Sequence, residues 1–226
     1  MGGILKSSIA KKVAMALSGL FLVSFLALHF TINMTSVISP NTFNEWSHFM
    51  GTNILVQAVM QPILIFGVVF HFVMGFILEY QNRRARGAVG YSIFKGSANS
   101  SWISRNMLLS GAVILVFLGI HFYDFWIPEM TTKYIEGDMS GLHNGEFRYY
   151  EETVAKFAGQ PLRTGFYVLG FILLSLHLLH GFSSSFQSVG FNNKYSKALK
   201  TFTKAFAIVI PLGFAFIAIF HYVTHL

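Results

Sequence analysis

The chain has 226 residues, 54% of them hydrophobic and only 11% charged. A soluble domain carries about a quarter charged residues, so the composition is that of an integral membrane protein. The formal charge of +7 sits in loops between apolar runs, which points to membrane orientation rather than to nucleic acid. The absence of Cys excludes disulfides, thiolate-ligated iron–sulfur clusters and cysteine nucleophiles within this chain.

The first thirty residues, MGGILKSSIAKKVAMALSGLFLVSFLALHF, begin with a basic stretch like that of a signal peptide. The apolar run is too long for one and no small-x-small site follows, so it reads as a retained first span. Lys6 at position 6 gives no support to a myristoylation signal. Five apolar windows are long enough to cross a bilayer: residues 13–38, 53–80, 103–127, 162–187 and 201–224. Lipid offers backbone groups no partners, so each is expected to be a helix. The predicted fold class is an all-α integral membrane bundle of five helices, residues 1–226 forming one domain. No internal repeat or linker is evident.

Twelve of the 16 basic residues fall before span 1, between spans 2 and 3, or between spans 4 and 5. The remainder, Lys133, Arg148, Lys156 and Arg163, lie at the other side among six acids from Glu129 to Glu152. The positive-inside rule then predicts a cytoplasmic N-terminus and an external C-terminus. The long polar segment Pro128–Pro161 is expected to form an external cap, and Trp102 and Trp126 occupy positions suited to interfacial aromatics.

Histidines within spans are a functional signal, because an unpaired ionisable side chain is costly there. His29 is 16 residues beyond Lys12 and His121 is 16 beyond Arg105; at the helical rise both stand ~24 Å from the cytoplasmic end. Spans 2 and 4 run the other way. His71 is 8 residues before Glu79 and His177 is 10 before Gln187, which places them ~12 and ~15 Å from that end. Four helices thus supply an outer pair, His29 and His121, and an inner pair, His71 and His177. Two neutral imidazoles approaching one iron from opposite faces of a haem need this arrangement. A vertical offset of ~10 Å between the levels follows from the rise and would form an electron path.

HFVMG (His71–Gly75) and HLLHG (His177–Gly181) are both H-x-x-x-G. That spacing puts each glycine one turn from the imidazole on the same face. Gly75 and Gly181 then read as haem-facing glycines that make room for a flat ring, with small-residue helix contacts as the plainer alternative. His180 reads as a hydrogen bonder beside the site, His221 as an interfacial or interhelical one, and His48 and His143 as solvated loop residues.

The segments SSIAKKVAMALSGLFLVSFLALHFTIN, HFVMGF, GIHFYDFW and HLLHGFSSSFQSVG carry a resemblance. The chain resembles the cytochrome b membrane anchor of succinate:quinone oxidoreductases (succinate dehydrogenase and fumarate reductase), of the single-chain, five-helix, dihaem kind. The likeness covers nearly the whole chain, least clearly Pro128–Pro161 and the last helix. It implies two haems b, the outer on His29 and His121 and the inner on His71 and His177. The family's fourth-span ligand stands four residues before the glycine, which selects His177 over His180.

The resemblance also implies partners at the cytoplasmic face of a bacterial inner membrane. These are a flavoprotein subunit with FAD, which handles succinate, and an iron–sulfur subunit. The electron acceptor or donor in the membrane is then a quinone, menaquinone in the typical dihaem member. An acid at the external start of span 2 matters in some members, and Glu45 with neighbouring His48 is the candidate here, against a plain hydrated turn. Some relatives carry a glutamate two residues before the fourth ligand, where this chain has Ser175. Arg105 and Arg163 are candidate propionate partners. The alternatives are the cytochrome b of a hydrogenase or formate dehydrogenase, and a histidine-based transporter, which would require intramembrane carboxylates.

Overall fold

The computed structural model describes residues 7–86, 107–191 and 193–225. Helix α1 (Ser8–Ile38) is followed, after the extended Ser39, by α2 (Pro40–Thr52), whose first turn is capped by the Ser39 hydroxyl accepting from the Thr42 amide. A π turn over Val56–Met60 leads into α3 (Gln61–Arg86). Helix α4 (Met107–His121) continues through a π turn (Phe122–Trp126), the single turn α5 (Ile127–Met130) and a second π turn (Thr131–Ile135). A hairpin, β1 (Leu142–His143) and β2 (Glu146–Phe147), precedes α6 (Tyr149–Phe157). Helices α7 (Pro161–Ser188) and α8 (Ser196–Thr224) complete the chain.

Five helical stretches are long and apolar enough to cross a membrane: Ser8–Ile38, Val56–Ala85, Met107–Ile135, Pro161–Ser188 and Ser196–Thr224. The chain is therefore an all-α, multi-pass membrane bundle. Its large exposed side chains, among them Leu17, Phe66, Val116, Leu162 and Phe216, would be untenable as one continuous apolar surface in water and suit a lipid solvent. The best-packed core joins α7 and α8 to α1 and α4 through Tyr167, Phe171, Phe214, Ile217 and Ala218, with Phe30 and Phe117 against them.

Two prolines are accommodated by the same device. The Gln61 amide bonds back to Val56 and the Ile127 amide to Phe122, five residues earlier. Pro62 and Pro128 follow immediately, at positions where the re-phased ladder needs no N–H. The third span consequently does not stop at residue 127 as the sequence suggests. It runs on to Ile135, and residues 128–135 belong to the helix rather than to the cap.

The cap is built from the remaining loop and α2. Asn144 and Gly145 both have positive φ (54° and 88°), the backbone of a type I′ turn for which Asn-Gly is the favoured pair. Asn44 of α2 ties the hairpin down, donating to the Phe147 carbonyl at 2.9 Å and accepting from the Tyr150 amide at 2.8 Å. The opposite end of the bundle is basic, with Lys11 of α1 donating to Gln81 of α3 at 3.2 Å.

Candidate functional site

The four span histidines meet in two pairs across the bundle. His29 of α1 faces His121 of α4 with ring centroids 5.8 Å apart and planes at 83°. His71 of α3 faces His177 of α7 at 6.5 Å and 70°. The first pair stands toward the cap. The second stands toward the basic end, since His71 contacts Ser18 near the start of α1.

Each cap-end ring lies flat against a phenylalanine one turn earlier on its own helix. Phe25 and His29 are 5.3 Å apart at 17°, and Phe117 and His121 are 6.2 Å apart at 19°. The basic-end rings are held instead through hydrogen bonds. Ser18 Oγ is 2.9 Å from His71 Nδ1, and Ser110 Oγ is 3.1 Å from His177 Nδ1. Among the described residues nothing hydrogen-bonds to Nε2 of any of the four. That nitrogen is the one a metal could take.

These contacts expose an internal repeat that sequence inspection missed. Met15-x-x-Ser18-Gly19-x5-Phe25-x3-His29 in α1 recurs as Met107-x-x-Ser110-Gly111-x5-Phe117-x3-His121 in α4. The repeat extends to contacts. A Cβ on Gly19 would lie 3.3 Å from His71 Cε1, and one on Gly111 would lie 3.6 Å from His177 Cε1. Met15 points its methyl at Gly75 and Met107 points its methyl at Gly181, with 3.6 and 2.9 Å to a Cβ placed there. Each of these glycines thus lies against a methionine methyl of the preceding span. Self-comparison of spans 1 and 3 would have revealed the signal.

Other expected residues fall differently. Glu45 is exposed on α2. His48 is packed into the cap, stacked 4.4 Å from Phe147 and 3.3 Å from the Tyr149 hydroxyl; no described contact joins either residue to His29 or His121. The His180 ring has no hydrogen bond among the described residues. His221 is completely buried and bonds α8 to α1 through Ser36, 2.9 Å from its Nε2. Trp102 and Arg105 lie outside the described residues. Arg163 is directed at Asp124, 3.5 Å from its Oδ2.

Asp124 is an acid inside the continuous third span, 2% exposed, and accepts a 2.9 Å hydrogen bond from the Tyr167 hydroxyl. Tyr167 in turn packs against His121, 6.4 Å between centroids. A buried carboxylate with a neutral donor and a partly exposed guanidinium is a compensated charge.

A second buried network holds the cap to the third span. Lys133, 2% exposed, pairs with Glu129 at 2.6 Å and donates to the Gly51 carbonyl. Arg148 bridges Glu129 at 2.6 Å and Glu152 at 2.8 Å. Burial opposes the charge on Arg148, but its hydrogen bonds to Glu152 and Glu129 outweigh that and push its pKa up. Burial, with the nearby charge of Glu129, pushes the Tyr149 phenol up to about 12.

Among the described residues no three His, Asp or Glu side chains converge as a bare metal ion would need. The fold and site define a class: a multi-pass helical membrane protein with two stacked, two-histidine sites. No known family, curated protein or solved structure matches the chain.

Proposed function

We propose that the chain is a bis-histidyl dihaem cytochrome b of the membrane, and in particular the anchor subunit of a succinate:quinone oxidoreductase. The observation that carries this reading is the pair of facing imidazoles at each of two levels. Metal–nitrogen bonds of about 2 Å on either side of one metal put two imidazole centroids about 6 Å apart, close to the 5.8 and 6.5 Å found. Two protein ligands suit a metal that brings further ligands of its own, as haem iron does. The residues present therefore fit the group.

His29 and His121 would hold the outer haem, and His71 and His177 the inner one. Bound there, the haems would supply one-electron transfer between an iron–sulfur partner and a membrane quinone. The chain's own part is positioning: four helices fix the imidazoles, and the apolar bundle excludes water from them. The basic end, facing the cytoplasm by the positive-inside rule, receives the iron–sulfur and flavoprotein subunits, on which succinate chemistry takes place. The absence of Cys fits that division of labour. Glu45 and His48 remain the candidates for the quinone end, and menaquinone is the quinone this reading favours.

One observation favours a second reading. Asp124 is an intramembrane acid of the kind a histidine-based transporter uses, but its ion pair with Arg163 and its hydrogen bond from Tyr167 make it a poor carrier. A pyridine haemochrome assay on the purified chain separates the two. Two haems b per chain are expected. A colourless protein from a haem-competent host would rule out the cytochrome reading, and co-purification with flavin and iron–sulfur subunits distinguishes the succinate enzyme from a hydrogenase or formate dehydrogenase.

A further inference from the structure

We propose that Ser18 and Ser110 are positioning residues that lock His71 and His177 into the tautomer able to ligate iron, and that they do so for the inner haem alone. The inference rests on the haem reading above.

A serine hydroxyl has one proton. Ser18 Oγ donates it to the Met15 carbonyl at 2.8 Å, and Ser110 Oγ donates its own to the Met107 carbonyl at 2.9 Å. With each hydroxyl proton on that carbonyl, the oxygen accepts from the imidazole beside it, at 2.9 and 3.1 Å. In that arrangement Nδ1 of both His71 and His177 carries the ring proton, which leaves the Nε2 lone pair free on both. The adjoining glycines make the approach possible. A side chain on Gly19 or Gly111 would stand against the same rings, 3.3 and 3.6 Å from their Cε1 atoms.

The outer pair lacks this support. His29 Nδ1 is 3.4 Å from the Asn33 side-chain amide nitrogen, a donor that already gives a proton to the His29 carbonyl at 2.8 Å. His121 has no hydrogen bond among the described residues; its ring is held by Phe117 and Phe125. An acceptor on Nδ1–H makes an imidazole the more basic ligand, and a more basic ligand favours the oxidised metal. The two serines thus set the inner site apart chemically from the outer one and bias it toward lower potential.

The test is a redox titration of the full chain followed in the haem α-band, comparing Ser→Thr with Ser→Val at positions 18 and 110. Threonine keeps the hydroxyl, and valine has the same shape without it. The His71→Ala variant, which retains only the outer haem, assigns the two midpoints. The valine double variant is expected to raise the inner midpoint by up to about tenfold in the reduction equilibrium, about 59 mV for one electron, or to lose the inner haem alone. The threonine variants should match the wild type, and Ser24→Ala, whose exposed hydroxyl only bonds its own helix at Leu20, should change nothing. Identical inner midpoints in the threonine and valine variants would overturn the proposal, as would an outer midpoint that moves as far as the inner. A wild-type chain without haem would overturn the underlying reading instead, and this one with it.

Discussion

His29 and His121 meet edge to face across the bundle, ring centroids 5.8 Å apart, although 92 positions separate them in the chain. On the proposed haem reading they are two ligands of one iron and act as a unit, so their loss is non-additive. His29→Ala, His121→Ala and the double variant should each lower the haem content from two per chain to one. His71→Ala and His177→Ala should remove the other haem, with a different α-band lost. His180→Ala should keep both, since no hydrogen bond engages that ring among the described residues. A haemochrome assay in which His180→Ala loses a haem while His177→Ala retains two would reverse the assignment within the fourth span.

Tyr167 supplies the only neutral hydrogen bond to buried Asp124 among the described residues, at 2.9 Å. Removing one donor from a buried carboxylate costs about 1–3 kcal/mol. Tyr167→Phe should therefore lower the thermal midpoint in detergent micelles by several degrees, whereas Tyr123→Phe, at an exposed position, should leave it unchanged. Equal midpoints for the two variants would mean that Arg163 alone satisfies the acid.

The spans and the two depth levels were legible because they depend on local quantities, apolar run length and helical rise. Asp124 was not. Pro128 reads as a helix end, and only the π turn before it lets the third span continue and carry Asp124 into the interior. Lys133 was equally hidden: its neutralisation comes from Glu129 one turn back and from the Gly51 carbonyl 82 positions away. The hairpin had a visible signal in Asn144-Gly145, but two-residue strands are too short for periodicity to register. The duplicated Met-x-x-Ser-Gly segment was present in plain sequence. Its meaning lay in the histidines it touches on the next span, which no single-segment reading supplies.

Gly67 and Gly165 offer a paired test of helix packing. A Cβ on Gly67 would come within 2.8 Å of the Phe21 ring, while one on Gly165 meets nothing within 4 Å. Gly67→Ala should destabilise by about 1–3 kcal/mol through overpacking. Gly165→Ala should stabilise by up to about 1 kcal/mol through helix propensity. Thermal midpoints of opposite sign relative to wild type are the expected result, and a neutral Gly67→Ala would show that Phe21 can move aside.

Glu129 and Glu152 both pair with Arg148, yet they should differ greatly when neutralised. Glu129 is 19% exposed and also holds Lys133, whose side chain is fully buried. Glu129→Gln leaves that ammonium with a carbonyl and no counter-charge, a loss of about 3–5 kcal/mol. Glu152 is 49% exposed, and solvent screening limits its pair to about 0–1 kcal/mol. Thermal unfolding should therefore show a large drop for Glu129→Gln and almost none for Glu152→Gln. Adding Lys133→Met to Glu129→Gln should recover part of the loss, because it removes the buried charge that Glu129 had balanced. Were the double variant no more stable than Glu129→Gln alone, the carboxylate's bond to Arg148, rather than its neutralisation of Lys133, would be what holds the cap to the third span.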